Sequence, residues 1–577
     1  MRNLSVYLKK YRKESIIAPL FKLLEALFDL LVPLVVAQMI DAGGGRRTVW
    51  LSFGLLLLMA AVGLGCSVLA QYYAAKASTG FGGALRQAMF NRIQSFSFTE
   101  LDRLGTDTLI TRLSDDVNQV QTGLNMGLRL LLRSPFIVLG AMVMAFTIDV
   151  RCALIFAVAI PVLFGVVFLI MQISIPLFGK AQAGLDRVTA MTRENLTGVR
   201  VIRAFCREEQ STKEFNSSSR ALTRLNLFVG RISALMNPLT YVLINLAAVV
   251  LIREAGVRVN LGQLQQGQVV ALYNYMLQIT VELIKLASLI ITLNKSMACA
   301  KRAAAILQVE PSMAAPAQGA QPVSGAPAVE FRDVTFTYAG AGAPSLSDIS
   351  FTAMPGQTVG IIGGTGSGKS TLVNLISRSY DAGTGEVLLF GAPVAQYDRQ
   401  TLRRNIGVVP QRAVLFRGTI RDNLKWGDEN ASDNALWTAL ELAQAKGVVE
   451  DKPGKLDFVV EQGGRNLSGG QRQRLTIARA LVRRPRILIL DDSSSALDYA
   501  TDAALRKAIR SLSGTTTTFL VSQRIACVRQ SDRILVLDNG SLAGSGTHEQ
   551  LMANCEVYRE IYYSQFPEER PAAGKEA

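Results

Sequence analysis

Six stretches of the sequence, roughly 16–39, 49–73, 130–148, 152–175, 235–252 and 269–293, are predominantly apolar for about twenty residues each. That is the length an α-helix needs to cross a ~30 Å hydrocarbon core. The third and fourth stretches are separated only by Asp149-Val150-Arg151, which suits a tight turn at one membrane face. The connections alternate: short ones follow the first, third and fifth stretches, and long ones, 74–129 and 176–234, follow the second and fourth. The second long loop is basic, with Lys180, Arg187, Arg193, Arg200, Arg203, Arg207, Lys213, Arg220, Arg224 and Arg231. Lys9, Lys10, Arg12 and Lys13 precede the first span. Positive charge marks the cytoplasmic side, so the N-terminus and both long loops are expected in the cytoplasm.

The basic start followed by an apolar run is not expected to be a cleaved signal peptide. The run has full span length, carries Lys22, Glu25 and Asp29, and lacks a small-x-small cleavage site. Residues 4–15 read as a short amphipathic helix on the inner membrane surface. The long loops are also expected to be helical, because structureless loops of that length are uncommon. In 108–120, Leu109, Ile110, Leu113 and Val117 recur at helical spacing. The spans are therefore expected to run on into the cytoplasm and return through two tips, near 98–105 and 199–207.

Composition closes off other classes. Of 577 residues, 49% are hydrophobic and 18% charged, which excludes a disordered chain. Six scattered cysteines show no CxxC or zinc-ligand spacing, which argues against a disulfide-rich secreted scaffold. A single histidine, His548, permits neither a His-based metal site nor a Ser-His-Asp triad from this chain alone. The net charge of +16 raises nucleic acid as a partner. Net charge is poor evidence for that, and basic residues flanking spans bind anionic lipid headgroups, so no nucleic acid is expected.

The chemistry changes after the spans. Residues 1–308 read as a transmembrane domain, 309–328 as a flexible Ala/Pro/Gly/Ser/Gln-rich linker, and 329–577 as a soluble α/β domain with a largely parallel sheet. Within it, Gly363-Gly364-Thr365-Gly366-Ser367-Gly368-Lys369-Ser370 follows the strand-like TVGII and opens the helix-like run that begins at Thr371. This is the GxxxxGK[ST] pattern in the context it requires. The glycines let backbone N–H groups approach phosphate oxygens at a helix N-terminus. Lys369 is suited to the β/γ-phosphates and Ser370 to Mg²⁺. Ile487-Leu488-Ile489-Leu490 then leads into Asp491-Asp492. Asp491 is expected to partner Mg²⁺, and Asp492 to sit where a general base faces the attacking water.

Between these motifs lies Leu467-Ser468-Gly469-Gly470-Gln471. With it, the chain resembles the ABC (ATP-binding cassette) transporters over nearly its whole length, as a half-transporter of the exporter type. The resemblance implies six transmembrane helices fused to one P-loop cassette, with ATP and Mg²⁺ as cofactors. It implies that Tyr338 stacks on adenine and that Gly363 to Thr371 hold the phosphates. Gln411 looks like the Q-loop glutamine, which senses Mg²⁺ and the γ-phosphate and touches the membrane domain. The Mg²⁺ set is then Ser370, Gln411 and Asp491. Glu461-Gln462-Gly463-Gly464 resembles the loop that relays motion to the membrane domain. Ser495-Ala496-Leu497-Asp498 resembles the D-loop. Residues 194–205 resemble the second intracellular loop, which makes 199–207 a coupling helix.

Two positions depart from the active family pattern. Asp492 stands where the family has Glu, and Gln523 where it has His. Asp reaches one methylene less, and misplacement of ~1 Å can cost about 10²-fold in rate. Gln523 can donate a hydrogen bond but cannot carry an imidazole's charge or proton. The signature is intact, and in the family each ATP sits between one chain's P-loop and the other's signature. The expectation is therefore the degenerate-site half of a heterodimeric exporter. Its own site hydrolyses ATP poorly, and a partner subunit carries Glu and His at the corresponding positions. The alternative is an ATP-gated or regulatory membrane subunit without net transport. Lys22, Glu25 and Asp29 share one helical stripe, and Glu282 and Lys285 are spaced i, i+3. Such residues pair with one another or face a cavity, and they suit an amphipathic or cationic cargo.

Overall fold

A computed structural model of the chain describes residues 4–42, 45–313, 319–493 and 496–570. The chain divides into two compact units, Met1–Gln94 with Asp107–Val309, and Ser95–Thr106 with Glu310–Ala577.

The first unit contains six helical segments long and apolar enough to span a membrane: Ser5–Asp41, Arg46–Ser95, Thr106–Ile148, Val150–Thr197, Glu208–Asn260 and Gln266–Gln308. At 1.5 Å per residue, the 50 residues of Arg46–Ser95 reach about 75 Å, more than twice the hydrocarbon thickness. The continuation of the spans as helices thus holds. Small residues occupy the crossings, where Ala26, Ala70, Ala74, Ala77, Ala141 and Ala145 are fully buried. Small side chains let helix backbones approach where lipid offers no hydrophobic drive toward association. Leu57, Leu58, Val62 and Leu64 point outward instead, the inverse of a water-soluble helix.

Two local readings change. The expected surface helix over 4–15 is shorter: one turn at Ser5–Leu8, a 3₁₀ turn at Lys9–Tyr11, and then the first span from Arg12. Tyr11 lies so close to Gly80 that a Cβ there would fall 2.2 Å from the ring, and Glu14 pairs with Lys76 at 3.1 Å. These tertiary contacts accompany the continuation of residues 12–15 into the long helix Arg12–Asp41. The predicted helix over 108–120 forms as Thr106–Thr111 and Val117–Leu130 around a π turn at Arg112–Asp116. The buried Asp116 accepts from Arg302 Nε at 2.8 Å and Nη2 at 2.5 Å.

The second unit is α/β. Its strands are β1 (Val329–Phe336), β2 (Leu346–Ala353), β3 (Thr358–Gly363), β4 (Thr384–Leu389), β5 (Ala392–Pro393), β6 (Ile406–Val409), β7 (Gly418–Thr419), β8 (Val459–Val460), β9 (Ile487–Asp491), β10 (Thr517–Val521), β11 (Arg533–Asp538) and β12 (Ser541–Gly546). An antiparallel sheet runs β2-β1-β4-β5, a six-stranded sheet runs β12-β11-β3-β10-β9-β6, and β7 pairs with β8. In the six-stranded sheet all pairs are parallel except β11 with β12. All six residues of β3 and the apolar four of β9 are buried, as expected of central parallel strands covered on both faces. Parallel order puts the C-terminal ends of β3, β6, β9 and β10 along one edge, where ligands bind in open α/β sheets.

Ser95–Thr106 packs within this unit. Its helix Phe98–Leu104 starts at a capping box of Ser97 and Glu100. Ser97 N and Oγ both donate to Glu100 Oε2, at 2.7 and 2.6 Å, and Ser312 N donates to Oε1 at 3.3 Å. The donors around Glu100 outweigh its burial and hold its carboxyl below the usual range. Tyr380 donates to Asp102 at 2.5 Å, and its ring lies 6.0 Å from that of Phe98. The other expected tip forms the helix Val199–Ala204 in the first unit, with Val201 and Phe205 exposed.

Candidate nucleotide-binding site

The turn after β3 is set by glycines. Gly363 sits at φ +159°, and a Cβ there would lie 2.1 Å from the Leu537 carbonyl. Gly368, at φ +94°, immediately precedes the helix Lys369–Ile376 and has the Ser345 carbonyl 2.7 Å from any Cβ. Only glycine fits both places. Lys369 Nζ donates to the carbonyls of Gly363 at 3.0 Å and Gly364 at 2.5 Å. Burial pulls its pKa below the ordinary lysine value, against the opposing pull of Asp491 and Asp492.

β9 delivers Asp491 to the same place. Ser370 Oγ donates to Asp491 Oδ1 at 3.1 Å. Burial pushes the Asp491 carboxyl above its usual range; Ser370 offsets part of this, and the neighbouring Asp492 adds to it. An oxygen-only pair with a carboxylate short of positive charge fits a hard divalent cation such as Mg²⁺, whose shell is completed by water and phosphate oxygens. Among the described residues no cluster of three or more His, Cys, Asp or Glu could hold a metal alone.

Asp492 adopts φ +43°, a left-handed conformation that Asp tolerates, and its N–H donates to the Val521 carbonyl of β10 at 3.0 Å. Gln411, two residues beyond β6, brings Nε2 to 3.5 Å from Asp492 Oδ2. Gln523, two residues beyond β10, is exposed; its carbonyl accepts from Gln565 Nε2 at 2.8 Å. Tyr338 lies beside Thr371, hydroxyl to hydroxyl at 3.1 Å.

One cavity of 370 Å³ collects these groups. Tyr338, Thr365, Gly366, Gly368, Lys369, Ser370, Thr371, Gln411, Asp491, Asp492 and Gln523 all line it. The other predicted loop residues, Gly363, Gly364 and Ser367, shape the turn from behind: Ser367 is buried, and its N–H donates to the Gly364 carbonyl at 3.3 Å. The cavity also takes in Ser345, Val521 and Ser522, which carry no motif of their own. Gln565 was equally invisible in the sequence, because it is distant in the chain and holds the Gln523–Ile525 backbone only through tertiary folding.

The signature residues stand apart from this lining. Ser468 is the N-cap of the helix Gly469–Val482, in a capping box with Gln471. Leu467 is buried as an anchor, whereas Ser468 and Gly469 are exposed. Gly470 faces the Ala496 carbonyl, which would lie 3.1 Å from a Cβ. Leu497 is buried in the core beside this helix, and Asp498 caps the next helix, Tyr499–Arg510, accepting from Thr501 N at 2.9 Å. Ser495 lies outside the described residues. In the Glu461–Gly464 loop, Glu461 is held by the side chain of Asn466 at 3.1 Å. His548 is elsewhere, with Nδ1 2.8 Å from the Tyr558 hydroxyl.

In the first unit the intramembrane charges are paired, Lys22 with Glu25 at 2.5 Å and Lys285 with Glu282 at 2.9 Å. The sequence reading missed Arg133, which joins Asp29 at 2.9 Å to Glu282 at 2.7 Å. A signal was present: Lys22, Glu25, Asp29, Glu282 and Lys285 alone leave one negative charge uncompensated, and a buried charge needs a partner.

Comparison with known proteins agrees with this geometry. Residues 15–283 match the family model described as ABC transporter transmembrane region, and 346–495 match that of the ABC transporter. The chain is 38% identical over 566 residues to an uncharacterized ABC transporter ATP-binding protein of Mycobacterium tuberculosis, with 97% of each covered. It is 35% identical to the uncharacterized ABC transporter ATP-binding protein YfiB of Bacillus subtilis, with 99% of each covered. Among solved structures, a bacterial Atm1-family ABC exporter with ATP bound superposes with a TM-score of 0.81 at 24% identity, covering 97% of this chain and 99% of that one. With a transmembrane region and an ATPase cassette fused in one polypeptide, the protein belongs to the ABC transporter family and is a half-transporter with the exporter fold.

Proposed function

We propose that the protein is one half of an ATP-driven exporter dimer whose own P-loop site binds Mg²⁺-ATP but hydrolyses it slowly. The observation that carries this is the cavity itself, where Asp492 and Gln523 line the same space as Lys369, Ser370 and Asp491. Binding residues are complete there. The two positions that activate and sense the attacking water are shortened or uncharged. Lys369 would neutralise the β/γ-phosphates, and Ser370, Gln411 and Asp491 would hold Mg²⁺, which supplies charge neutralisation at the transferred phosphoryl group. Ser468, Gly469 and Gly470, intact at a helix N-terminus with the first two exposed, are suited to complete a site on a partner's P-loop. That partner is a second half-transporter with Glu and His at the corresponding positions. The basic N-terminal segment supports a plasma-membrane orientation with the N-terminus and ATPase unit in the cytoplasm.

Native mass spectrometry of the tagged chain, extracted from its own host membranes, tests this. A 1:1 complex with a second ABC half is expected, with turnover that depends on the partner's Glu and on this chain's Ser468. A homodimer with fast hydrolysis at both sites would overturn the proposal. The same two substitutions also fit a nucleotide-gated subunit, and substrate accumulation in proteoliposomes that stops without ATP separates the readings.

A further inference from the structure

The charges of the membrane unit form a ladder of alternating sign, Asp29–Arg133–Glu282–Lys285, with contacts of 2.9, 2.7 and 2.9 Å. The inner rungs are buried, with Arg133 and Glu282 side chains 12% and 4% exposed. The end rungs are open, with Asp29 at 44% and Lys285 at 42%. All four line one cavity of 290 Å³. Here one anion and one cation keep capacity facing the same space. Gln278, also in the lining, donates its Nε2 to the Asp29 carbonyl at 3.0 Å. This fixes the amide and leaves Oε1 a buried acceptor without a partner, and Arg133 Nε is a buried donor without one. Unmatched polar atoms of both kinds are costly in such surroundings.

We propose that this cavity binds a small zwitterion, free or as the head group of an amphiphile, with its ammonium on Asp29 and its anionic group on Lys285. This deepens the export reading and rests on it, by naming the chemical class of the cargo. Equal numbers of each sign in the lining disfavour a purely cationic or purely anionic guest. The volume, at the small end for ligand pockets, suits a head group or dipeptide-sized body.

The test uses the full chain purified with its accompanying subunit into phosphatidylglycerol nanodiscs. Calorimetry compares leucyl-leucine with its N-acetyl form, which is only an anion, and its amide, which is only a cation. The free dipeptide is expected to bind at least ~tenfold tighter than either blocked form. Asp29→Asn should erase its advantage over the N-acetyl form, and Lys285→Gln its advantage over the amide, while Asp29→Glu retains both. Equal binding of all three probes, no binding up to ~10 mM, or unchanged preferences in both neutral variants would overturn the proposal. Repeating in phosphatidylethanolamine nanodiscs distinguishes the sources: weakened dipeptide binding identifies the lipid head group as a competitor, and undiminished binding identifies a free solute. A fluorescent ATP analogue in the same samples reports the nucleotide site independently. Retained ATP binding shows that a variant is folded. Dipeptide selectivity without ATP-driven export would refute the export reading while leaving the zwitterion site standing.

Discussion

The nucleotide cavity and the charge ladder both hold ionic groups out of water, by opposite means. In the cassette, the turn proposed to bind phosphate is built from a short run, Gly363 to Ser370, at the end of a buried strand. In the membrane unit, Arg133 satisfies Asp29 and Glu282, carboxylates 104 and 149 residues away in sequence. Local backbone chemistry must be written as a contiguous motif. Compensation between side chains can be scattered over three helices and leave no motif at all.

The comparison implies that the ladder is the more fragile of the two. Arg133→Ala takes the guanidinium from Asp29 and leaves the buried Glu282 with only Lys285 and Ser134, and removing one partner of a buried pair costs about 3–5 kcal/mol. Thermal unfolding in detergent should therefore show the largest loss of any change considered, with Arg133→Lys intermediate; an unchanged transition would break the contrast. In the cassette, Lys369→Ala leaves the fold intact because the backbone turn remains. It removes a charged contact to phosphate of about 2–3 kcal/mol, a ~30- to 150-fold weaker ATP Kd by equilibrium titration. Affinity within a factor of ~two of wild type would mean that Lys369 does not reach the nucleotide.

Restoring the two departures sharpens the comparison from the chemical side. Asp492→Glu combined with Gln523→His should raise single-turnover hydrolysis of bound ATP about tenfold or more, which is at least about 1.4 kcal/mol in barrier. No increase would show that the slow step lies elsewhere. The smallest effect concerns Glu100, a buried carboxylate served by nearby backbone and hydroxyl donors in the manner of the phosphate turn. Its pKa is lowered in the fold, so its stabilisation is complete above the unfolded value near 4.5 and is lost as pH falls through the lower folded value. Hydrogen exchange of the 98–104 amides, corrected for intrinsic rates, should show protection falling below about pH 4.5 in wild type. It should be flat and lower by about 1 kcal/mol in Glu100→Gln. Identical profiles would remove Glu100 from the account.

These contrasts also explain what the sequence could reveal. The six spans, their helical extensions and the glycine-run residues that line the cassette cavity were legible because each depends on a repeat or a short run: twenty apolar residues, a 3.6-residue period, or a glycine pattern between strand and helix. Arg133, Ser345 and Gln565 were not, since each acquires its role only from partners brought close by folding. The breaks in the helix expected over 4–15 were hidden for a similar reason. Its amphipathic pattern is real, but Tyr11 on Gly80 and Glu14 with Lys76 decide where the helix begins.

The placement of Ser95–Thr106 within the ATPase unit bears on how such genes can recombine. A crossover at the linker would move residues 310 onward into a new background while leaving this short segment behind. The transplanted cassette would then present Tyr380 and Ser312 to a foreign sequence, without Asp102, Phe98 and Glu100 to meet them. Cassettes of this kind should be exchangeable only between chains that agree at both places. Inheritance of the two segments is thereby linked across more than two hundred intervening residues.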